Sequence, residues 1–432
     1  MKDRLIASIQ DPHLLELLYQ EDSNAFIAVF QEVFTAHPDS LVLQCWHERL
    51  SYVPNTKESL FSKNEKPWAT ILLTFLFVLA GGFISKIAEW LPDRYSYNIA
   101  ELFHFRNAGA YFLPFMAFLY LIHAKAKKKT VWLVLAILLI SAAYINSFPN
   151  VVFEGKIDPY SDTLLLACFH IPLLYWFAGG FAYVGFPFQS IQKRLEFLKM
   201  NSEILFMTTL ILLAGIVLTG ISLASFSILG IDSVQEFYIQ WVVLFGAIGS
   251  PIVATVLVLK TVKLHNLPPL LAKIFAPLFL VTVLVFLSMM LLKIKNPFED
   301  REFLIVINIL LFIIMSLTTF ILLDRNPRIP RNIMDIIVVS LLIACFLIDI
   351  ITVVSVLFRV VEEGFTPNRI ALIGINLVLL VHLTGLLVNF TGWLAKRIEY
   401  QKTVGWIGSY MPVYLGWSVF MVFVYPWLFR LH

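Results

Sequence analysis

Apolar residues run through this chain in long, nearly unbroken stretches separated by short polar segments rich in lysine and arginine. A helix needs about 20 apolar residues to cross the hydrocarbon core of a bilayer. Eleven stretches meet or nearly meet that length: 68–85, 108–124, 131–148, 163–184, 204–228, 238–259, 271–292, 303–323, 333–358, 370–394 and 405–428. They are too long for strands and lack the period-two alternation of a transmembrane barrel. The pattern predicts an all-α, polytopic transmembrane helix bundle. Ahead of it, residues 1–66 are polar and helically periodic, and no cleavable leader is expected. DPHLLELLYQ places Asp11 and Pro12 as cap and first turn. SNAFIAVFQEVF spaces Phe26, Phe30, Val33 and Phe34 along one helix face, and SLVLQCWHERL predicts a third helix. The expected organisation is a small cytoplasmic helical segment, 1–66, and a transmembrane domain, 67–432. Sixty-odd residues make a marginal core alone. The segment is therefore read either as a cap docked on the body or as a module for a cytoplasmic protein partner. Connecting loops are short and leave no room for a soluble catalytic domain.

Composition sharpens the class. The chain has 432 residues, 59% hydrophobic and 14% charged. A soluble domain carries about 25% charged residues. The net charge of +3 is small and its basic residues are dispersed, which argues against a nucleic-acid partner and for the lipid bilayer. Their order gives an orientation. With the N-terminus inside, 22 of the 32 Lys and Arg fall on the inner side, including the tract KAKKK at 125–129. None lies in the middle of a span, and the reading is N-in, C-out. Trp68, Trp90, Trp132, Trp241, Trp393, Trp406 and Trp427 fall near span ends, where indoles prefer to sit.

Several chemistries are not written here. Cys45, Cys168 and Cys345 are scattered and odd in number, against a disulfide framework or zinc site. Cys45 and His47 are only two of the four ligands a structural zinc would need. No phosphate loop, dinucleotide fingerprint, zincin helix or nucleophile elbow occurs. No cofactor, metal or catalytic residue is expected.

A resemblance adds to this reading. YNIAELFHFRNAGAYFLPFMAFLY, SDTLLLACFHIPLLYWFAGGFAY, NPFEDREFLIVIN, EEGFTPNRIALIGIN and YMPVYLGWSVFMVFVYP occur in that order. Together they resemble a family of uncharacterised bacterial inner-membrane proteins, the domain-of-unknown-function family numbered 4153. The segment ending LQCWHERLSY resembles the leader of Bacteroidetes-type members. The resemblance implies a multi-pass protein of the bacterial inner membrane and brings no established activity.

The residues that would carry chemistry are few. Asp349 is the only acid in the middle third of an expected span, ten residues before Arg359 and so about 15 Å inside that helix. A carboxylate there costs about 2.5–3.5 kcal/mol on insertion scales. It is read either as a proton or cation site or as a neutral carboxyl bonded to a neighbouring helix. His170, followed by Pro172, and His382 also lie within spans and are its expected partners, or else interhelical bridges. Asn308 and Asn376 each follow an arginine by seven residues, Arg301 and Arg369, an echo that suggests a parallel repeat. These asparagines would help line a polar pocket or act as interhelical glue. Gly81, Gly82, Gly179, Gly180, Gly215 and Gly220 are expected to let helices approach closely. Three functions follow as expectations. The first is a proton-linked permease using Asp349. The second is a non-transporting sensor, scaffold or assembly protein docking a partner through 1–66. The third is an intramembrane enzyme drawing on the outer acids Glu89, Asp93, Glu154 and Asp158.

Overall fold

The computed structural model describes residues 2–51, 67–90, 99–148, 151–153, 156–158, 161–228, 232–260, 267–292, 298, 301–327 and 329–429. The chain divides into two compact units, Met1–Pro67 and Trp68–His432.

The first unit has four helices where three were expected: α1 (Lys2–Ala7), α2 (Pro12–Glu21), α3 (Ser23–Ala36) and α4 (Leu41–Ser51). The six residues of α1 are too few to display a helical period in sequence. Asp11 caps α2 through the N–H groups of His13 and Leu14, with Pro12 opening the helix. Leu5, Leu15, Leu18, Phe26, Phe30 and Trp46 form the core. Ion pairs Lys2–Glu32, Arg4–Glu21 and Arg49–Glu16 each join two different helices. The Arg4 hydrogen bond holds the Glu21 carboxyl below its ordinary range.

The second unit is a multi-pass helical membrane domain. Its helices are α5 (Pro67–Trp90), α6 (Ile99–Asn107), α7 (Leu113–His123), α8 (Lys128–Asn146), α9 (Asp162–Val184), α10 (Ile191–Ile228), α11 (Asp232–Phe237), α12 (Leu244–Lys260), α13 (Leu267–Leu291), α14 (Arg301–Asp324), α15 (Ile333–Glu363), α16 (Pro367–Leu394), α17 (Tyr400–Val419) and α18 (Tyr425–Leu428). Two π-helical turns, Tyr238–Val243 and Phe420–Val424, join α11 to α12 and α17 to α18. A three-residue hairpin, β1 (Val151–Phe153) against β2 (Lys156–Asp158), sits in one connection. Ten helices among the described residues are long and apolar enough to cross a membrane. The eleventh expected span corresponds to α13, whose described apolar stretch is Ile274–Met290.

Two boundaries differ from expectation for physical reasons. Helix α10 begins at Ile191 rather than near 204, because Leu195, Phe197 and Met200 continue a buried stripe beneath Lys193 and Lys199. The expected span 108–124 is a 3-10 turn (Ala108–Tyr111) followed by α7, with the separate helix α6 ahead of it. There Gly109 packs on Pro172 so closely that a Cβ would lie 2.9 Å from the ring. Close approach also explains Gly81 and Gly82, where a Cβ would collide with the Tyr111 carbonyl and the Phe245 ring. Gly215 and Gly220 face open space, so the expected close approach does not occur there.

Hydrophobic packing forms two cores. One joins α6–α9, the start of α10 and α12. The other joins α13–α16. Helices α10 and α17 contribute to both, and Leu198 and Tyr414 pack against both. Polar locks fix the ends. Arg106 donates to the carbonyls of Asn146 and Phe148 at the end of α8 (3.1 and 3.0 Å), and Asn107 and Asn146 exchange amide bonds. Arg325 makes a bidentate pair with Asp335, which also closes the capping box of α15 with Asn332.

Candidate functional site

A cavity of about 790 Å³ lies where the two cores meet, lined by seven helices, α7, α9, α10, α12, α14, α16 and α17. Helix α17 lines it from Ile407 to Ser418, about 16 Å at 1.5 Å per residue. The size is that of a small-molecule site.

Its polar wall is built on α17. Trp406, Tyr410, Tyr414 and Trp417 recur at four, four and three residues, so they share one face. The Tyr414 hydroxyl lies 2.7 Å from His382 Nδ1. The His382 ring stacks on Tyr410 at 4.5 Å, and Trp406 Nε1 donates to the His382 carbonyl. Trp417 Nε1 donates to His170 Nε2 at 3.2 Å, and His170 Nδ1 meets the Leu166 carbonyl at 2.7 Å. A carbonyl only accepts, so the His170 proton sits on Nδ1 and the ring is neutral, with both nitrogens satisfied. On α10, Asn201 Oδ1 accepts from Tyr120 and Trp176. Ser202, Thr208, Ser250, Ser316 and Ser418 all donate to carbonyls of their own helices.

No Asp, Glu, Lys or Arg is among the described lining residues. Among the lining residues, Leu205 on α10 is 60% exposed, and Leu212, Leu173, Phe312 and Ser316 are exposed as well. Phe312 lies eleven residues into the 24-residue α14, about 16 Å from its start.

The structure brings together two of the five residues singled out from sequence. His170 and His382 both line the cavity; Asp349 does not. Asp349 is fully buried, its helix neighbours Cys345 and Ile348 belong to the α13–α16 core, and neither carboxyl oxygen has a hydrogen-bond partner among the described residues. The expected bonds to His170 or His382 are absent, because those rings face Leu166 and Trp417, or Tyr414. Asn308 and Asn376 also lie off the cavity. Each donates to a carbonyl four residues back, Leu304 or Leu372, with Oδ1 unbonded. The same bond occurs at Asn107, Asn201 and Asn389, so it does not mark a repeat. The side chain of Arg301 lies outside the described residues.

The remaining candidates scatter. Glu89 pairs with Lys86, which sits against Trp241; Asp158 is in β2; Asp93 and Glu154 lie outside the described residues. His47 stacks on Phe34, and no group of three or more metal-ligating side chains occurs among the described residues. Sequence reasoning passed over Tyr414, Trp417, Trp176 and Asn201. The aromatic spacing along α17 was the available signal, and it resembles an interfacial belt until packing is known. No family model, no curated protein and no solved structure matches this chain.

Proposed function

We propose that this protein is a transport-related permease of the bacterial inner membrane, without an ATPase of its own, whose cargo enters sideways from the bilayer. The observation that carries the reading is the cavity at the meeting of two helix cores, whose described lining is uncharged and includes the exposed apolar side chains Leu205 and Phe312. Transporters place their sites at such junctions near the midplane. The basic-residue pattern supports N-in, C-out, and the resemblance to the uncharacterised family supports the location without adding an activity. Asp349 lies off the cavity and does not touch cargo in this reading.

The test is native mass spectrometry of the full chain released from mild detergent, followed by flux from loaded proteoliposomes. The expected result is a small apolar adduct that is lost in Ser316→Trp, at the mouth, and a compound that moves. An unchanged adduct in that variant would place the ligand elsewhere.

A second reading, a membrane sensor or scaffold, is favoured by the separate core and three interhelical ion pairs of residues 2–51. Those features suit a cytoplasmic module that binds a protein partner. Binding without flux, with a partner captured only when 1–66 is present, would favour it over the permease.

A further inference from the structure

The chemistry of the cargo is legible in how the wall uses its hydrogen atoms. The indole N–H groups of Trp176 and Trp417 are occupied by Asn201 and His170. Of the six Ser and Thr hydroxyls on the lining, all but that of Thr319 donate to their own helices. The His382–Tyr414 pair is different. His382 is 4% exposed, and its Nε2 is buried without a partner. An orphaned buried N–H is rarer and costlier than an orphaned lone pair. With the proton assigned to Nδ1 on that ground, His382 donates to the Tyr414 oxygen. Tyr414 then keeps its own hydroxyl proton. No hydrogen bond joins it to Asp349 or to another described residue, and Tyr414 is half-buried at the cavity wall.

We infer that Tyr414, oriented by His382, is the polar anchor of the cavity, and that the ligand is an uncharged membrane-soluble amphiphile presenting an acceptor oxygen, as an alcohol or a carbonyl. This rests on the cavity reading above. The uncharged lining provides no counter-ion for a phosphate, carboxylate or ammonium head buried there, and a buried unpaired charge is strongly disfavoured. Beyond Tyr414, the lining is mostly apolar, with Ile407 and Met411 on α17 and Leu205 and Leu212 on α10, and accommodates the chain of the ligand. Trp417, pinned by His170, holds the outer part of the same wall rigid.

The full chain, stripped of co-purified lipid in detergent, is titrated separately with dodecanol, methyl undecyl ketone, dodecane and dodecanoate, and bound ligand is counted by native mass spectrometry. The alcohol and the ketone are expected to bind at least tenfold more tightly than the alkane and the carboxylate. Tyr414→Phe should abolish that preference while alkane binding stays unchanged, which also reports an intact cavity. His382→Leu should weaken the preference in the same direction. Preference for the alcohol with the ketone no better than the alkane would overturn the assignment, because the wall would then be accepting rather than donating. So would tight carboxylate binding, or an unchanged preference in Tyr414→Phe. Absence of binding by all four probes would overturn the cavity reading itself, and the anchor with it.

Discussion

The same substitution at two aspartates of α15 should have very unequal consequences for stability. Asp335 and Asp349 lie on one helix. Asp335 is 4% exposed at its side chain and accepts two bonds from Arg325, at 2.8 and 2.9 Å, and one from the Asn332 N–H at 3.0 Å. Asp335→Asn leaves Arg325 charged and removes its counter-ion. Breaking a buried pair from one side costs about 3–5 kcal/mol. Arg325 still reaches the carbonyls of Asn326, Ile329 and Pro330, so the lower end, about 3 kcal/mol, is expected. Asp349 has no bond to lose. Carboxyl and carboxamide have nearly the same shape, and Asp349→Asn should change stability by less than about 1 kcal/mol. The difference, about 2 kcal/mol, is a factor of roughly 30 in the unfolding equilibrium. Reversible unfolding of the full chain in mixed micelles, driven by steric trapping, reads both variants on one scale. Equal losses would refute the reasoning, because Asp349 would then have an ionic partner and would not be a solitary carboxyl behind the cavity wall.

Other outcomes follow from the same packing. Arg106→Gln should cost about 2 kcal/mol, since charge-assisted bonds to the carbonyls of Asn146 and Phe148 are lost; thermal unfolding against wild type measures it. Gly81→Val should cost at least about 2 kcal/mol because its side chain would strike the Tyr111 backbone, whereas Gly215→Ala, in open space, should be neutral or slightly stabilising. The first unit should weaken in acid. Glu21 is held below its ordinary range by Arg4, so that bond contributes fully above the ordinary glutamate value and is lost as the pH falls below it. Arg4→Gln should flatten this dependence, as followed by proteolysis of residues 2–51 in the full chain.

The aromatic residues show where sequence information stops. Trp68, Trp90, Trp132 and Trp427 are exposed, as their places near span ends imply. Trp406 has the same kind of position in the sequence, yet it packs against Gly385 and donates to His382. His170 and His382 stand out in sequence as polar groups inside apolar runs. Their partners do not: Trp417 is 247 residues from His170, and Tyr414 is 32 from His382. Asp349 was equally visible, and its expected partners were wrong.

What the amino-acid order determined by itself was insertion: which stretches form membrane-length helices, roughly where they begin and end, and how Asp11 and Pro12 start α2. Those depend on hydrophobicity and local capping, which act over a few turns. Which faces meet was decided only by the tertiary structure. Hydrocarbon is as apolar as a protein core, so a lipid-facing side of a helix and a buried side read alike, and only packing distinguishes a cavity wall from a surface.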